Sequence, residues 1–139
     1  MQQQQLYLLA LIFVVVGLAV AAGIGMFSDN SIGANRDAVC HDLVNLALRA
    51  HEFYRRPLQQ NGGGGSFVGI TADPDGLGKI TNLSGGKNPN GIYSIHSAGT
   101  VTNLVIQGIG NEVLPDGNHV TMRIFVSTVG PLDSLYQVY

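Results

Sequence analysis

Residues 6–27 read LYLLALIFVVVGLAVAAGIGMF, a run of 22 residues without a charged side chain. As an α-helix, such a run would be about 33 Å long, which is enough to cross the hydrocarbon layer of a membrane. Three interpretations compete: a cleaved secretory signal, a permanent single-pass anchor, and a helix that leaves the membrane to pack inside a polymer of identical helices. The run continues past Ala19-Val20-Ala21, the segment that fits a signal cleavage pattern, and no Lys or Arg precedes it. An ordinary anchor is usually flanked by basic residues, and none flank this run, so we favour the polymer.

The composition of the chain separates this run from the remainder. Only 12% of the 139 residues are charged, about half of what a soluble domain usually carries, and none of the charges lies in residues 1–28. The net charge of −2 provides no basic field for nucleic acid. The single cysteine, Cys40, excludes an intramolecular disulfide and a multi-cysteine zinc site.

Residues 29–57 continue the helix with a different pattern. Apolar residues recur at spacings of three and four, which predicts one apolar and one polar face. The apolar residues are Ile32, Val39, Leu43, Leu46, Ala47, Ala50, Phe53 and Tyr54. Pro57 predicts the end of the helix, because the residue before a proline is disfavoured in the helical region. Gly17, Gly23 and Gly25 each weaken a helix, so we expect a break or an unwound stretch within residues 17–26.

The pattern changes from Asn61 onward. The run NGGGGS at 61–66 predicts a flexible loop, and it lacks the Lys-Ser or Lys-Thr of a phosphate loop. Alternating apolar residues then predict strands at 67–70, 80–83, 91–96, 102–107 and 120–128. Turn sequences at 97–100 and 115–118 suit hairpins, which indicates an antiparallel sheet. The apolar stripe of the helix would cover one face of this sheet, and the tail at 130–139 could dock on the sheet or on a neighbour.

This order of elements resembles the type IV pilin and pseudopilin superfamily. The resemblance covers the architecture of the whole chain and is most specific at residues 2–27, NRDA at 35–38, DLVNLA at 42–47 and FYRRP at 53–57. It implies a precursor in the inner membrane, a prepilin peptidase that trims it, and a motor that extracts and polymerises it. Members usually carry Glu at the fifth position, which is thought to pair with a neighbour's N-terminal amine. Gln5 is neutral here and can only donate or accept hydrogen bonds.

The resemblance and the apolar run together define an expected polymer interface. Its residues are Met1, Gln5, Leu6, Leu8, Leu9, Leu11, Ile12, Phe13, Val15, Val16, Leu18, Val20 and Ile24. Small residues in the run would let neighbouring helices approach closely.

Residues that could carry chemistry give weaker signals. His41 and His51 lie ten residues apart, which is not the spacing of a helical metal pair. Cys40 has no base placed to activate it, so we expect Cys40 to be a small buried apolar residue. Asp73-Pro74-Asp75-Gly76 has too few oxygen ligands for calcium and predicts a capped turn. Asn82-Leu83-Ser84 matches a glycosylation sequon, a short pattern with many false matches.

We therefore expect an α+β fold in which a long N-terminal helix, apolar in its first half, packs on a C-terminal antiparallel sheet. Its parts are an apolar half-helix at 1–28, an amphipathic half-helix at 29–57, and a glycine-rich loop with the sheet at 58–139. The expected function is that of a structural subunit of an extracellular filament, without enzyme activity, cofactor or nucleic-acid contact. A pseudopilin in a secretion piston and a monomeric membrane-anchored binding domain are the alternatives.

Overall fold

The chain folds into one long helix and one sheet. In the computed structural model, which describes residues 2–128 and 134–138, helix α1 spans Gln2–Arg55, a 3-10 turn spans Leu58–Gln60, and the short helix α2 spans Pro74–Gly78. A second 3-10 turn at Ser84–Gly86 leads into the sheet. The strands are β1 (Lys87–Asn88), β2 (Gly91–Ser97), β3 (Asn103–Val113), β4 (His119–Ser127) and β5 (Ser134–Val138).

The sheet is an antiparallel meander in which every strand pairs with its neighbours in sequence, in the order β1-β2-β3-β4-β5. The predicted turn at 115–118 joins β3 to β4, with Gly117 in a left-handed conformation at φ 84°. The amide of Asn118 donates to the carboxylate of Asp116 at 3.0 Å and closes this turn. Both the strand order and the hairpin follow from short connections between strands of alternating polarity.

The core lies between the second half of α1 and one face of the sheet. From the helix it takes Val39, Leu43, Leu46, Ala47, Ala50 and Phe53, all of which are buried. From the sheet it takes Tyr93, Ile95, Leu104, Ile106, Val120, Met122, Ile124 and Val126. Ile32 and Tyr54 are partly buried at the two ends of the helical stripe. The α+β prediction and the predicted apolar stripe are therefore confirmed.

The expected helix break is wrong. Helix α1 continues through Gly17, Gly23 and Gly25 without interruption to Arg55. Each glycine costs about 1 kcal/mol relative to alanine, but unwinding would leave several backbone N–H and C=O groups without partners. Among the described residues nothing lies near these glycines to satisfy those groups, since a Cβ on any of the three would meet nothing within 4 Å. Keeping the helical hydrogen bonds is the less costly choice.

Two predicted strands are also wrong. Residues 67–70 form a loop, with Gly69 at φ 105°. The backbone groups of Phe67 and Ile70 form hydrogen bonds with the connection between β2 and β3. Residues 80–83 follow α2, and the amides of Ile80 and Thr81 both donate to the carbonyl of Leu77. Phe67, Ile70 and Ile80 are nevertheless buried. Apolar residues that close the ends of a core can therefore have the same spacing as a strand.

The tail contributes an edge strand. Within the predicted tail at 130–139, β5 pairs with β4 from Thr121 to Phe125. Leu135 packs against the core, whereas Tyr136 is exposed. Leu132 and Tyr139, two further apolar or aromatic residues of this tail, lie outside the described residues.

The glycine-rich segment has a defined conformation that caps α1. Amides of Gly63, Gly64 and Gly65 donate to carbonyls of the last helical turn and the residue after it, at 2.7–2.9 Å. A Cβ on Gly62 would lie 2.2 Å from the carbonyl oxygen of Arg56, and one on Gly63 would lie 1.9 Å from that of Ser66. Glycine is therefore required here by close backbone approach, because any side chain would force the loop off the helix end.

Candidate polymerisation surface

The first half of α1 projects from the sheet and packs against none of the other residues that the structure describes. Its large apolar side chains are 53–80% exposed. The expected interface residues Leu6, Leu8, Leu9, Leu11, Ile12, Phe13, Val15, Val16, Leu18, Val20 and Ile24 all belong to this set. Gln5 is exposed as well, and Met1 lies outside the described residues. We call residues 6–27 the apolar rod.

The apolar rod is apolar on every side. Exposed residues include Tyr7, Val14, Met26 and Phe27, which were not among the expected interface residues although they belong to the same uncharged run. A helix with apolar side chains all round is surrounded by lipid or by other apolar helices. The segment is long and apolar enough to cross a membrane. The rod therefore has no polar face that would favour contact with water.

Small residues give the rod shallow positions at which another helix can come close. Gly17, Gly23 and Gly25 have open space where a side chain would be. Ala19, Ala21 and Ala22 are exposed beside them. Between apolar helices in an apolar surrounding, attraction comes from such close packing, because the hydrophobic effect no longer acts.

The rod passes into the folded region at Asn35, which fixes α1 to the sheet. The side-chain Nδ2 of Asn35 donates to the carbonyl oxygen of Asn90 at 2.8 Å. Its side-chain Oδ1 accepts from the backbone amide of Glu112 at 3.3 Å. A Cβ on Gly110 would lie 2.0 Å from that side-chain oxygen. Only glycine at position 110 allows this attachment.

Two turns further along, Asp42 makes the main polar contact between helix and sheet. Its Oδ2 accepts hydrogen bonds from Asn88 at 2.9 Å, Asn90 at 2.8 Å and the hydroxyl of Tyr93 at 2.6 Å. Burial alone would raise the pKa of Asp42, but the three hydrogen bonds and nearby His41 outweigh it and lower that pKa below its ordinary value. Burial and the bond to Asp42 raise the pKa of Tyr93 well above its ordinary value. The sequence showed Asp42 only as one of several polar residues on the helix, and nothing marked its partners.

The lowered pKa of Asp42 predicts a loss of stability in acid. A carboxyl whose pKa is lower in the folded chain stabilises it above the unfolded pKa, and that contribution disappears as the pH falls through the folded value. We expect Asp42→Asn to lower the free energy of unfolding by about 1–3 kcal/mol at pH 7, and the difference from wild type to shrink below about pH 4. Urea unfolding of the detergent-solubilised chain, followed by near-ultraviolet circular dichroism between pH 3 and 7, measures it.

The matched control for this prediction is Asp37→Asn, which makes the same change at an exposed position of the same helix. It should leave the pH dependence of wild type unchanged. An equal effect of the two substitutions would contradict the assignment to the Asp42 contacts.

The other residues singled out in the sequence have structural positions. Asp73 caps α2, with its carboxylate accepting from the amide of Gly76 at 2.9 Å, so the capped turn is confirmed. Cys40 is half-buried against the core. Asn82 is exposed on the loop after α2. Among residues 2–128 and 134–138, no three His, Cys, Asp or Glu side chains are grouped in a way that could hold a metal ion.

Comparisons with protein-family models, with curated proteins and with solved structures give no match to this chain. The interpretation of the rod therefore depends on its geometry.

Proposed function

We propose that this chain is a structural subunit of a helical extracellular filament that polymerises through the apolar rod. The observation that carries the proposal is the contrast within a single helix. Residues 39–53 of α1 form a core with the sheet, whereas the large apolar side chains of the preceding apolar rod are exposed and lie outside that core. The folded region is therefore complete without the rod, which remains available for other molecules.

The energetics require the rod to be covered. Leaving a large apolar side chain in water instead of burying it costs about 1.5–3 kcal/mol, and the rod exposes more than ten such side chains. Lipid covers them before assembly, so the precursor would reside in the inner membrane, as the resemblance to pilins implies. In the filament, neighbouring rods would replace the lipid, and the folded regions would form the outer surface.

The second candidate, a monomeric single-pass membrane protein, is favoured by the length and apolarity of the same segment. In that case lipid would remain the permanent cover of the rod. The two functions differ in whether the rod ever leaves the membrane. A pseudopilin in a secretion piston would use the same interface in a shorter assembly.

The experiment is to shear cells that express the chain and to examine the released material by electron microscopy and sedimentation. We expect fibres in which antibodies or mass spectrometry identify this chain as the main component. Recovery of the chain only from the membrane fraction, as a detergent-soluble monomer, would contradict the filament and support the monomeric anchor.

A further inference from the structure

The charges on α1 and on Arg56, the residue that follows it, are separated along the length of the helix. Asp29, Asp37 and Asp42 lie toward the apolar rod, and Arg49, Arg55 and Arg56 lie at the far end, with Arg36 and Glu52 as the exceptions. Asp29 is the first charged residue of the chain and is exposed beside the rod. It makes no hydrogen bond or ion pair with any residue that the structure describes. If the rod is covered by other subunits, this carboxylate needs a partner from one of them, because an unpaired charge at an apolar boundary is costly.

A basic groove lies at the far end of the helix. Arg49, Arg56 and Lys79 line a cavity of about 240 Å³ between α1 and the segment after α2. Its one carboxylate, Glu52, is already bound to Arg56 at 2.8 Å, and the ammonium group of Lys79 donates to the carbonyl oxygen of Gly69. Arg49 is exposed and forms no hydrogen bond or ion pair within the described ranges. The groove therefore has positive charge left over in a chain whose net charge is −2.

The separation of Asp29 and Arg49 along and around α1 suits a contact between two parallel helices. The two residues are separated by about 20 positions, which corresponds to about 30 Å along the helix and about 200° around it. If two parallel copies are related mainly by translation, the residues that meet in a head-to-tail contact lie on nearly opposite faces of the same helix, at different heights. Asp37 lies eight positions after Asp29, about 80° away around the helix, and is not on the face opposite Arg49.

We propose that the basic groove of one subunit receives Asp29 of a second copy, with the two helices parallel and offset by about 20 residues. This inference rests on the proposed filament and specifies its register. The carboxylate of Asp29 gains the guanidinium group of Arg49, which forms no hydrogen bond or ion pair within the described ranges. Charge complementarity favours a second copy as the occupant, since this chain carries both an unpartnered acid beside the rod, Asp29, and an unpartnered base in the groove, Arg49.

Cross-linking tests the register directly. In a Cys40→Ser background, the chain carrying both Asp29→Cys and Arg49→Cys is treated in filaments with a short bismaleimide. We expect a ladder of covalent dimers, trimers and longer species, because each subunit joins one neighbour through each position. The control chain carrying Asp37→Cys and Arg49→Cys should give at most one-tenth of the cross-linked product. Filaments of the chain with Asp29→Cys and Arg49→Cys that give no ladder, or equal ladders for the two cysteine pairs, would overturn the register and leave the filament intact.

Charge reversal tests the ion pair. Asp29→Arg and Arg49→Asp should each lower filament yield about tenfold, which corresponds to about 1.4 kcal/mol per interface. The chain with both substitutions should recover most of the loss, because the pair is re-formed with its signs exchanged. Failure of the double variant to recover, with both singles still present in the membrane, would overturn the proposed pair. A wild-type chain that forms no filaments would instead overturn the proposed function itself.

Discussion

Replacing Val15 by Asp is expected to abolish filament formation. Val15 lies in the middle of the apolar rod and is 57% exposed in the single chain, so in the proposed filament its surroundings would come from neighbouring subunits. In a polymer core the new carboxylate would be buried without a partner, which costs far more than one interface can supply. Leu11→Asp should have the same effect for the same reason. The measurement is the amount of fibre in sheared surface material.

The matched control for this experiment is Val101→Asp. Val101 is 61% exposed, so it resembles Val15 in residue type and exposure, but it lies in the loop between β2 and β3. This variant should assemble at the wild-type level. The amount of each variant in the membrane fraction separates failed assembly from failed insertion, since Asp near the centre of a membrane helix costs about 3 kcal/mol. Normal fibre yield from Val15→Asp would argue strongly against the polymer.

Leu43→Ala is expected to cause the largest loss of stability in the folded region. Leu43 is completely buried between α1 and the sheet, and truncation leaves a cavity that the surrounding residues fill only in part. We expect the free energy of unfolding to fall by about 2–5 kcal/mol. Urea unfolding in detergent, with near-ultraviolet circular dichroism as the signal, measures the change.

Val44 provides the comparison for Leu43. It is the next residue of the same helix, is 42% exposed, and has no place in the core. Val44→Ala should change the free energy of unfolding by less than about 1 kcal/mol, because surface substitutions away from specific contacts have small effects. Similar losses for both variants would mean that α1 does not pack on the sheet through the Leu43 side.

Periodic patterns made much of the fold predictable. The spacing of Val39, Leu43, Leu46 and Ala50 identified the face of α1 that is buried, because only one side of a helix can contact a sheet. The alternation in 120–128 identified the buried face of β4 for the corresponding reason. Pro57 correctly marked the end of the helix to within two residues.

Contacts between distant parts of the chain were not predictable. The bonds that join Asp42 to Asn88, Asn90 and Tyr93 span 46–51 residues, and no periodicity reports them. The candidate surface was easier to recognise than these contacts, because 22 consecutive uncharged residues are visible without knowledge of the fold. The glycines within that run were misleading, since local propensity predicts a weak point but not whether anything nearby can satisfy an opened backbone.

The uninterrupted course of α1 has a mechanical consequence for any fibre built from this chain. A continuous helix carries tension through its backbone hydrogen bonds, so stretching must first rupture those bonds. A residue that passes from helix to extended chain lengthens from about 1.5 Å to about 3.4 Å, so melting the ten residues 17–26 would add roughly 19 Å per subunit. The glycines in that segment make it the first to yield. Such a fibre would be stiff at low load and would then extend in steps under higher force.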